Sequence, residues 1–278
     1  MIDVIKTYKK LCDAWEIPFN EEPSLLSYDD STLFCPAGMQ KYKKFFGAKE
    51  MEYETVANTQ KCLRLNDFDE IGDGIHALSF DMIGLFSFND WGVGRAIDFF
   101  LTYLWYLNIK PDYVTVHPDR GEWAYLYPSD LIVKPSEDCQ WSDGQIGGYC
   151  TEFFVIKDGK EIEIGNIVNP LGHSIDVGFG KERLEYILGA PQLTDIEQLI
   201  KAATDIINSG VLPSANKQGY VLRKILREIY LKGGQFDHKF YHDESDRMEK
   251  SKERYEKLKD KYPDKSPEWW HDTHGVII

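Results

Sequence analysis

Three groups of residues in this chain have types and spacings that could do chemistry. Arg64 closes a strand-like run and is followed by a turn-prone loop carrying Asn66, Asp67, Asp69 and Glu70. "SIDVGFGKERL" at 174–184 brings Asp176 to the end of a strand and supplies Gly178 and Gly180, where backbone can approach a ligand closely. Arg183 then projects from the first turn of a helix, and Glu163 with Asn166 stands late in a neighbouring strand. Guanidinium forks grip phosphate oxygens bidentately, and Mg²⁺ accepts a few carboxylate or amide oxygens. On one sheet these residues would suit a nucleoside triphosphate with magnesium. Neither a P-loop signature nor a GxGxxG fingerprint is present, since "GFGKER" has the wrong spacing. By residue type alone, each arginine reads more readily as a surface or ion-pair residue, and the choice stays open.

The elements that must position these groups can be read from periodicity. Residues 2–15 form a helical pattern with Ile5, Tyr8, Leu11, Cys12 and Trp15 on one face. Residues 55–65 and 77–88 read as extended, 95–107 as an apolar helix, and "DYVTVHP" and "WAYLYP" alternate like strands. "TEFFVIKDGKEIEIGNIV" predicts a hairpin, because Asp158-Gly159 is a strong type I′ turn signal between β-rich flanks. A helix follows from about 180 to 188. Beyond Pro191 the pattern becomes helical throughout, at 195–208, 217–232 and 246–261. The expectation is an α+β fold with two parts: an antiparallel sheet flanked by helices over 1–190, and a small all-helical domain over 191–278.

Composition narrows the class. The chain has 278 residues and a formal net charge of −14, with 42% apolar residues and no apolar run of membrane-spanning length. All of that charge belongs to residues 1–190, since 191–278 hold 15 basic residues against 15 acidic ones. An acidic body argues against non-specific coating of nucleic acid while allowing a local basic face. The amphipathic N-terminus does not read as a signal peptide, and the expected location is the cytoplasm. Five cysteines with no CxxC pair fit reduced thiols, so neither a disulfide framework nor zinc is expected.

"TLFCPAGMQKYKKFFG" at 32–47 reads most simply as a surface helix with Tyr42, Phe45 and Phe46 turned inward and Lys41, Lys43 and Lys44 outward. It also resembles a family stretch, F-x-N-A-G-M-x-Q-F-K. "ANTQKCLRLNDFDEIG", "SFDMIGLFSFNDW", "YCTEF", "EIGNIV", "SIDVGFGKERL" and "INSGVLPSANKQGYVLRKILREIYLKGG" follow in the same family's order. Together they resemble the catalytic core and first tRNA-recognition helices of the alanyl-tRNA synthetases, a class II family. The similarity runs from residue 2 to about 234.

The resemblance implies roles. Arg64 and Arg183 would be the catalytic arginines, both contacting ATP, with Phe80 stacked on adenine. Asp69, Glu70 and His76 would complete the nucleotide side. Met39, Arg64, Trp141, Asn166, Asp176 and Gly178 would bind the amino acid, Asp176 holding its ammonium and Gly178 leaving room for a small side chain. By looser analogy with other class II enzymes, Glu163 and Asn166 would ligand Mg²⁺. Lys217, Arg223, Lys224 and Arg227 would meet the acceptor stem of tRNA. The implied cosubstrates are ATP and a small amino acid, alanine foremost, with Mg²⁺ as the metal; oligomeric state stays open.

Four departures from the family pattern matter. The loop after Arg64 is shorter by four residues and lacks the family's lysine and histidine, which Lys61 or His76 would have to replace. Gly165 stands where the family has tryptophan and should open the pocket wall, and Pro36 replaces an asparagine. The helical part is cut short, and nothing resembles an editing domain. A pocket sized for alanine rejects glycine by only about 1–3 kcal/mol, so an uncorrected enzyme would mischarge. Three readings follow: a ligase that charges tRNA, an adenylate-forming ligase serving a small-molecule amine, peptide, carrier protein or modified nucleobase, and an inactive synthetase-like binding module.

Overall fold

The structure is a computed structural model that describes residues 2–48, 52–69, 71, 76–142, 144–274 and 276–277; of the Asp67, Asp69 and Asp272 side chains nothing is described. Two compact units divide it, Met1–Gln192 and Leu193–Ile278. No helix among the described residues is long and apolar enough to cross a membrane.

The first unit is built on one mixed, mainly antiparallel sheet. Helix α1 (Val4–Ala14) starts where the Asp3 carboxylate accepts from the Lys6 N–H at 2.9 Å, and buries Val4, Tyr8, Leu11 and Cys12 along one stripe. Strands β1 (Phe19–Glu22), β2 (Thr55–Leu63) and β3 (Ser79–Phe88) follow, then α2 (Val93–Tyr106) and β4 (Tyr113–Val116). Short β5 (Ile132–Pro135) and β6 (Gln140–Ser142) precede the long hairpin of β7 (Gly147–Lys157) and β8 (Lys160–Val168). Strand β9 (Ser174–Gly180) runs into α3 (Lys181–Ile187). The order across the sheet is β1-β2-β3-β9-β8-β7-β4-β5, with β6 pairing separately on β7. Pairing is antiparallel except at the two ends, β1 with β2 and β4 with β5. Asp158 and Gly159 both take positive φ, 53° and 77°, as a type I′ turn requires.

The two faces of this sheet differ. One carries Ile83, Leu85, Ile164, Ile175, Val177 and Phe179 against α1 and α2, where Phe100 stacks on Phe179 with ring centroids 4.7 Å apart. Tyr8 crosses this core to donate to the Gly84 carbonyl at 2.9 Å. The other face carries Asn58, Gln60, Met82, Gly84, Phe86, Asn166, Asp176 and Gly178, as the registers of β2, β3, β9 and β8 dictate.

Two expectations are corrected. "WAYLYP" lies in a 3-10 segment, Pro118–Leu126, and the turn after it, not in a strand. The Pro at its start and the His117 ring, which accepts from the Asp119 N–H, favour a helical turn over pairing. The 32–47 stretch is not a surface helix either: it is a run of turns with a three-residue 3-10 segment at Lys43–Phe45. Pro36 and Gly38 interrupt helical propagation, and the chain docks through Met39, Tyr42 and Phe46 onto Val56, Phe86 and Phe88.

The second unit holds four helices: α4 (Asp195–Asn208), α5 (Lys217–Leu231), α6 (Lys239–Leu258) and α7 (Pro267–His274). A full capping box starts α4, with Thr194 accepting from the Glu197 N–H and Glu197 accepting from the Thr194 N–H. α6 begins seven residues earlier than its charge pattern suggests, because His238 caps it by accepting from the Phe240 N–H.

Candidate active site

The candidate site is the sheet face that the helices of the first unit leave uncovered. Asp176 lies at its centre, opposite Phe86 on β3 and Val168 on β8. Its side chain is half-buried, and among the described residues none bonds to its carboxylate. Burial without a counter-charge pushes that carboxyl up to about 7. Such a group is poised to take a cation, whose arrival would restore its ionised form. Next to it the floor is glycine. Gly84 opposes Gly178 across β3 and β9, and a Cβ on Gly178 would meet the Met82 sulfur at 3.1 Å.

The turn at 36–39 closes one side of this floor. The Gly38 N–H donates to Met82 Sδ at 3.2 Å, Asn58 Nδ2 donates to the Gly38 carbonyl at 3.1 Å, and Arg64 Nε donates to the Pro36 carbonyl at 3.0 Å. Met39 is buried under the turn. Arg64 follows the last residue of β2, and its guanidinium lies 5.1 Å from the centre of the Phe80 ring. Two of the residues assigned to the nucleotide side are therefore together, guanidinium over ring.

Arg183 and Glu163 also meet. Arg183 Nη1 donates to the Glu163 carbonyl at 2.8 Å and lies 3.6 Å from its carboxylate. Glu163 and Asn166 are three residues apart, which in a regular strand would point them to opposite faces. A bulge resolves this: β8 shifts register opposite Phe153/Phe154, so that Glu163 faces with Phe154 and Asn166 with Glu152. Both side chains reach the candidate face as a result. The same bulge corrects the reading of Gly165. Its Cβ would strike the Phe179 ring at 2.3 Å, on the side packed against α2. The missing side chain makes room for Phe179 in the core and does not open the pocket wall.

Trp141 on β6 packs against Cys139, Cys150 and Val168 at the far edge of the face. Sequence reasoning missed a cluster there. Cys139, Cys150 and Glu152 bring their sulfurs and a carboxylate oxygen within 4.8 Å of one another. Glu152 lies opposite both Thr115 and Asn166, and burial, then the nearby Glu163, raises its carboxyl. A hydrogen bond between the sulfurs draws Cys139 below the ordinary thiol range and raises Cys150, which burial raises further. The signal in the sequence was the i,i+2 spacing of Cys150 and Glu152; Cys139 is joined to them only by pairing across strands.

Other expectations meet less support. Lys61 is ion-paired to Asp81 at 3.1 Å on the helix-bearing face, so it does not replace the missing loop lysine. His76 is half-buried just ahead of β3. Glu70 and the Asp69 side chain lie outside the described residues. In the second unit Lys217 and Lys224 are exposed on α5, whereas Arg223 and Arg227 turn onto Glu244 of α6. Glu244 is only 2% exposed and takes Arg223 at 3.0 and 3.1 Å, Arg227 at 2.5 Å and Arg247 at 2.9 Å.

The family model described as tRNA synthetases class II (A) matches residues 18–170. The chain is 30% identical to the alanine–tRNA ligase of Buchnera aphidicola subsp. Acyrthosiphon pisum over 76% of its own length and 34% of that protein. It is 30% identical to that of Francisella tularensis subsp. tularensis over 84% of its length and 36% of that protein. The chain thus spans about a third of the curated relatives it matches. Among solved structures, that of apo S. aureus histidyl-tRNA synthetase aligns over 88% of this chain and 84% of that one, with 8% identity and a TM-score of 0.44.

Proposed function

This chain belongs to the class II tRNA synthetases, and from that premise we propose that it activates a small amino acid, alanine foremost, as its adenylate and passes it to the acceptor end of a tRNA. The observation that carries the reading is Asp176: a carboxylate without a partner among the described residues, on a glycine floor, with the pairs Arg64–Phe80 and Arg183–Glu163 further along the same strands. The amino acid's ammonium would sit on Asp176, and Gly178 would admit a methyl group while the Met82 sulfur limits anything longer.

A carboxylate oxygen of the amino acid attacks the α-phosphorus of ATP, the P–O bond to pyrophosphate breaks, and pyrophosphate leaves with its electron pair. Arg64, held over Phe80 and anchored on the Pro36 carbonyl, supports the charge that builds on the α-phosphoryl oxygens. Arg183 would meet the departing phosphates. Glu163 and Asn166 offer oxygen donors on one face, as a hard cation needs, and Mg²⁺ held there would offset triphosphate charge. In the second step an acceptor hydroxyl attacks the acyl carbon and AMP leaves.

One observation favours a second reading, in which the adenylate serves an acceptor other than tRNA. Arg223 and Arg227, half of the basic set assigned to RNA, are engaged by Glu244 within their own unit. ATP–pyrophosphate exchange, run with each small amino acid singly, tests the first step. Exchange driven by alanine is expected; none with any amino acid would overturn the reading. Charging of tRNA by the same preparation then separates the two acceptors.

A further inference from the structure

We propose that Cys139, Cys150 and Glu152 form a binding site for a thiophilic divalent cation, Zn²⁺ foremost, at the edge of the candidate face. The expectation of no zinc rested on the absence of a CxxC pair. Strand pairing supplies what sequence spacing did not. Gln140 pairs with Tyr149, and the Cys150 N–H donates to the Cys139 carbonyl at 2.9 Å, so the two cysteines lie directly opposite each other. Side chains directly opposite share a face, and so do Cys150 and Glu152, two apart on β7.

Cys139 Sγ donates to the Thr115 hydroxyl at 3.0 Å, whereas the two sulfur–carboxylate distances are long for hydrogen bonds and suit ligands converging on a metal. Cys139 Sγ is 3.8 Å from one carboxylate oxygen of Glu152, and Cys150 Sγ is 4.0 Å from the other. Both are at the outer limit for a thiol donating to oxygen. Zinc bonds of about 2.3 Å to sulfur and 2.0 Å to oxygen, at tetrahedral angles, give sulfur–oxygen edges of about 3.5 Å, so a small inward adjustment closes the site. Two thiolates with one carboxylate select zinc or a similar soft divalent ion over Mg²⁺ or Ca²⁺.

The surroundings are those of a metal site. The Thr115 hydroxyl donates to Glu152 at 3.1 Å and accepts from Cys139 Sγ at 3.0 Å; with the thiol proton displaced by a metal it would still orient the Glu152 carboxylate, and Val168 and Trp141 keep the sulfurs in apolar surroundings. Three protein ligands leave a fourth position for water or a small nitrogen or oxygen donor. Glu152 and Cys150 lie opposite Asn166 and Val168, which in turn lie opposite Gly178 and Asp176, so the site adjoins the amino-acid floor. Cys12, Cys35 and Cys62 are buried apart from this cluster.

The test is cobalt titration of the full chain, stripped of metal under reducing conditions. The expected result is one equivalent of Co²⁺ bound with a thiolate-to-cobalt charge-transfer band and tetrahedral visible bands, displaced by Zn²⁺. Cys139→Ser and Cys150→Ser should each weaken the charge-transfer band, and Glu152→Gln should lower Co²⁺ affinity about tenfold or more. Absence of the band in reduced wild-type protein overturns the proposal, whether or not the variants fold. So does a band of full strength in both cysteine variants. Two thiols missing from the five, returning on reduction with no cobalt band afterwards, would replace the site with a cross-strand disulfide. None of these readouts requires adenylation, so the site and the proposed activity stand or fall separately.

Discussion

Two carboxylates, one in each unit, are drawn out of water and meet opposite fates. Burial raises Glu244, but hydrogen bonds from Arg223 and Arg227 outweigh it and hold the carboxyl below its usual range. Burial raises Asp176 to about 7, and no described residue offsets it. A protein that can surround one acid with three arginines leaves the other bare. Burying a charge without a partner costs stability, so a bare acid beside a glycine floor is better explained by a ligand that brings the partner with it. On the proposed reading, the difference separates a carboxylate that holds helices together from one that would take the amino acid's ammonium.

The sharpest way to break that comparison is to remove the paired acid. Glu244→Ala leaves three guanidinium groups crowded and uncompensated, and should destabilise the helical unit by about 3–5 kcal/mol in chemical denaturation. Pyrophosphate exchange should be retained under native conditions, if the chemistry belongs to the sheet. Next in size is Arg64→Ala, which on the proposed mechanism takes a fixed donor from the transition state. Exchange should fall about 10²–10³-fold, or about 3–4 kcal/mol, with the fold kept as judged by circular dichroism. Smaller again is Gly178→Ala. Its Cβ would stand 3.1 Å from the Met82 sulfur, where an amino-acid methyl group would need space. Discrimination should move from alanine toward glycine by about 1–3 kcal/mol in relative kcat/KM for exchange.

How much of this was legible in the sequence depended on how local the signal was. The Asp158-Gly159 hairpin, the apolar α2 and the glycine-spaced end of β9 are written within a few residues of themselves, and each formed. What failed was what depended on partners far away. The 32–47 stretch has helical spacing, yet its Pro and Gly break it and its aromatics find Phe86 and Phe88 on another strand. At Gly165 the family tryptophan predicts an opened pocket wall, because position in a motif says nothing of which face the residue takes. The bulge beside Phe153/Phe154 turns it to the core and brings Glu163 and Asn166 onto one face. Cys139 and Cys150 form no CxxC pair in the sequence, and their meeting is a matter of register across strands.

The gentlest test exploits the opposite slopes of the two acids with pH. Asp176 has a folded value of about 7 against an ordinary 3.8, so between those limits the folded state holds a proton that the unfolded state has lost. Stability should therefore fall as pH rises from about 4 to 7 and level off above, because more protons are bound when folded. Glu244 behaves the other way: its contribution is complete above its ordinary 4.5 and is lost only as pH falls through a lower value. Asp176→Asn removes the first slope and leaves the second. Because Asp176 keeps some contact with water, the gain at pH 8 should be about 1–2 kcal/mol, less than the full shift would give, and it should vanish near pH 4. The same substitution should weaken amino-acid binding more than ATP binding in equilibrium titrations. A variant that is no more stable at pH 8 and binds the amino acid unchanged would mean that Asp176 is neither strained nor reserved for the ammonium.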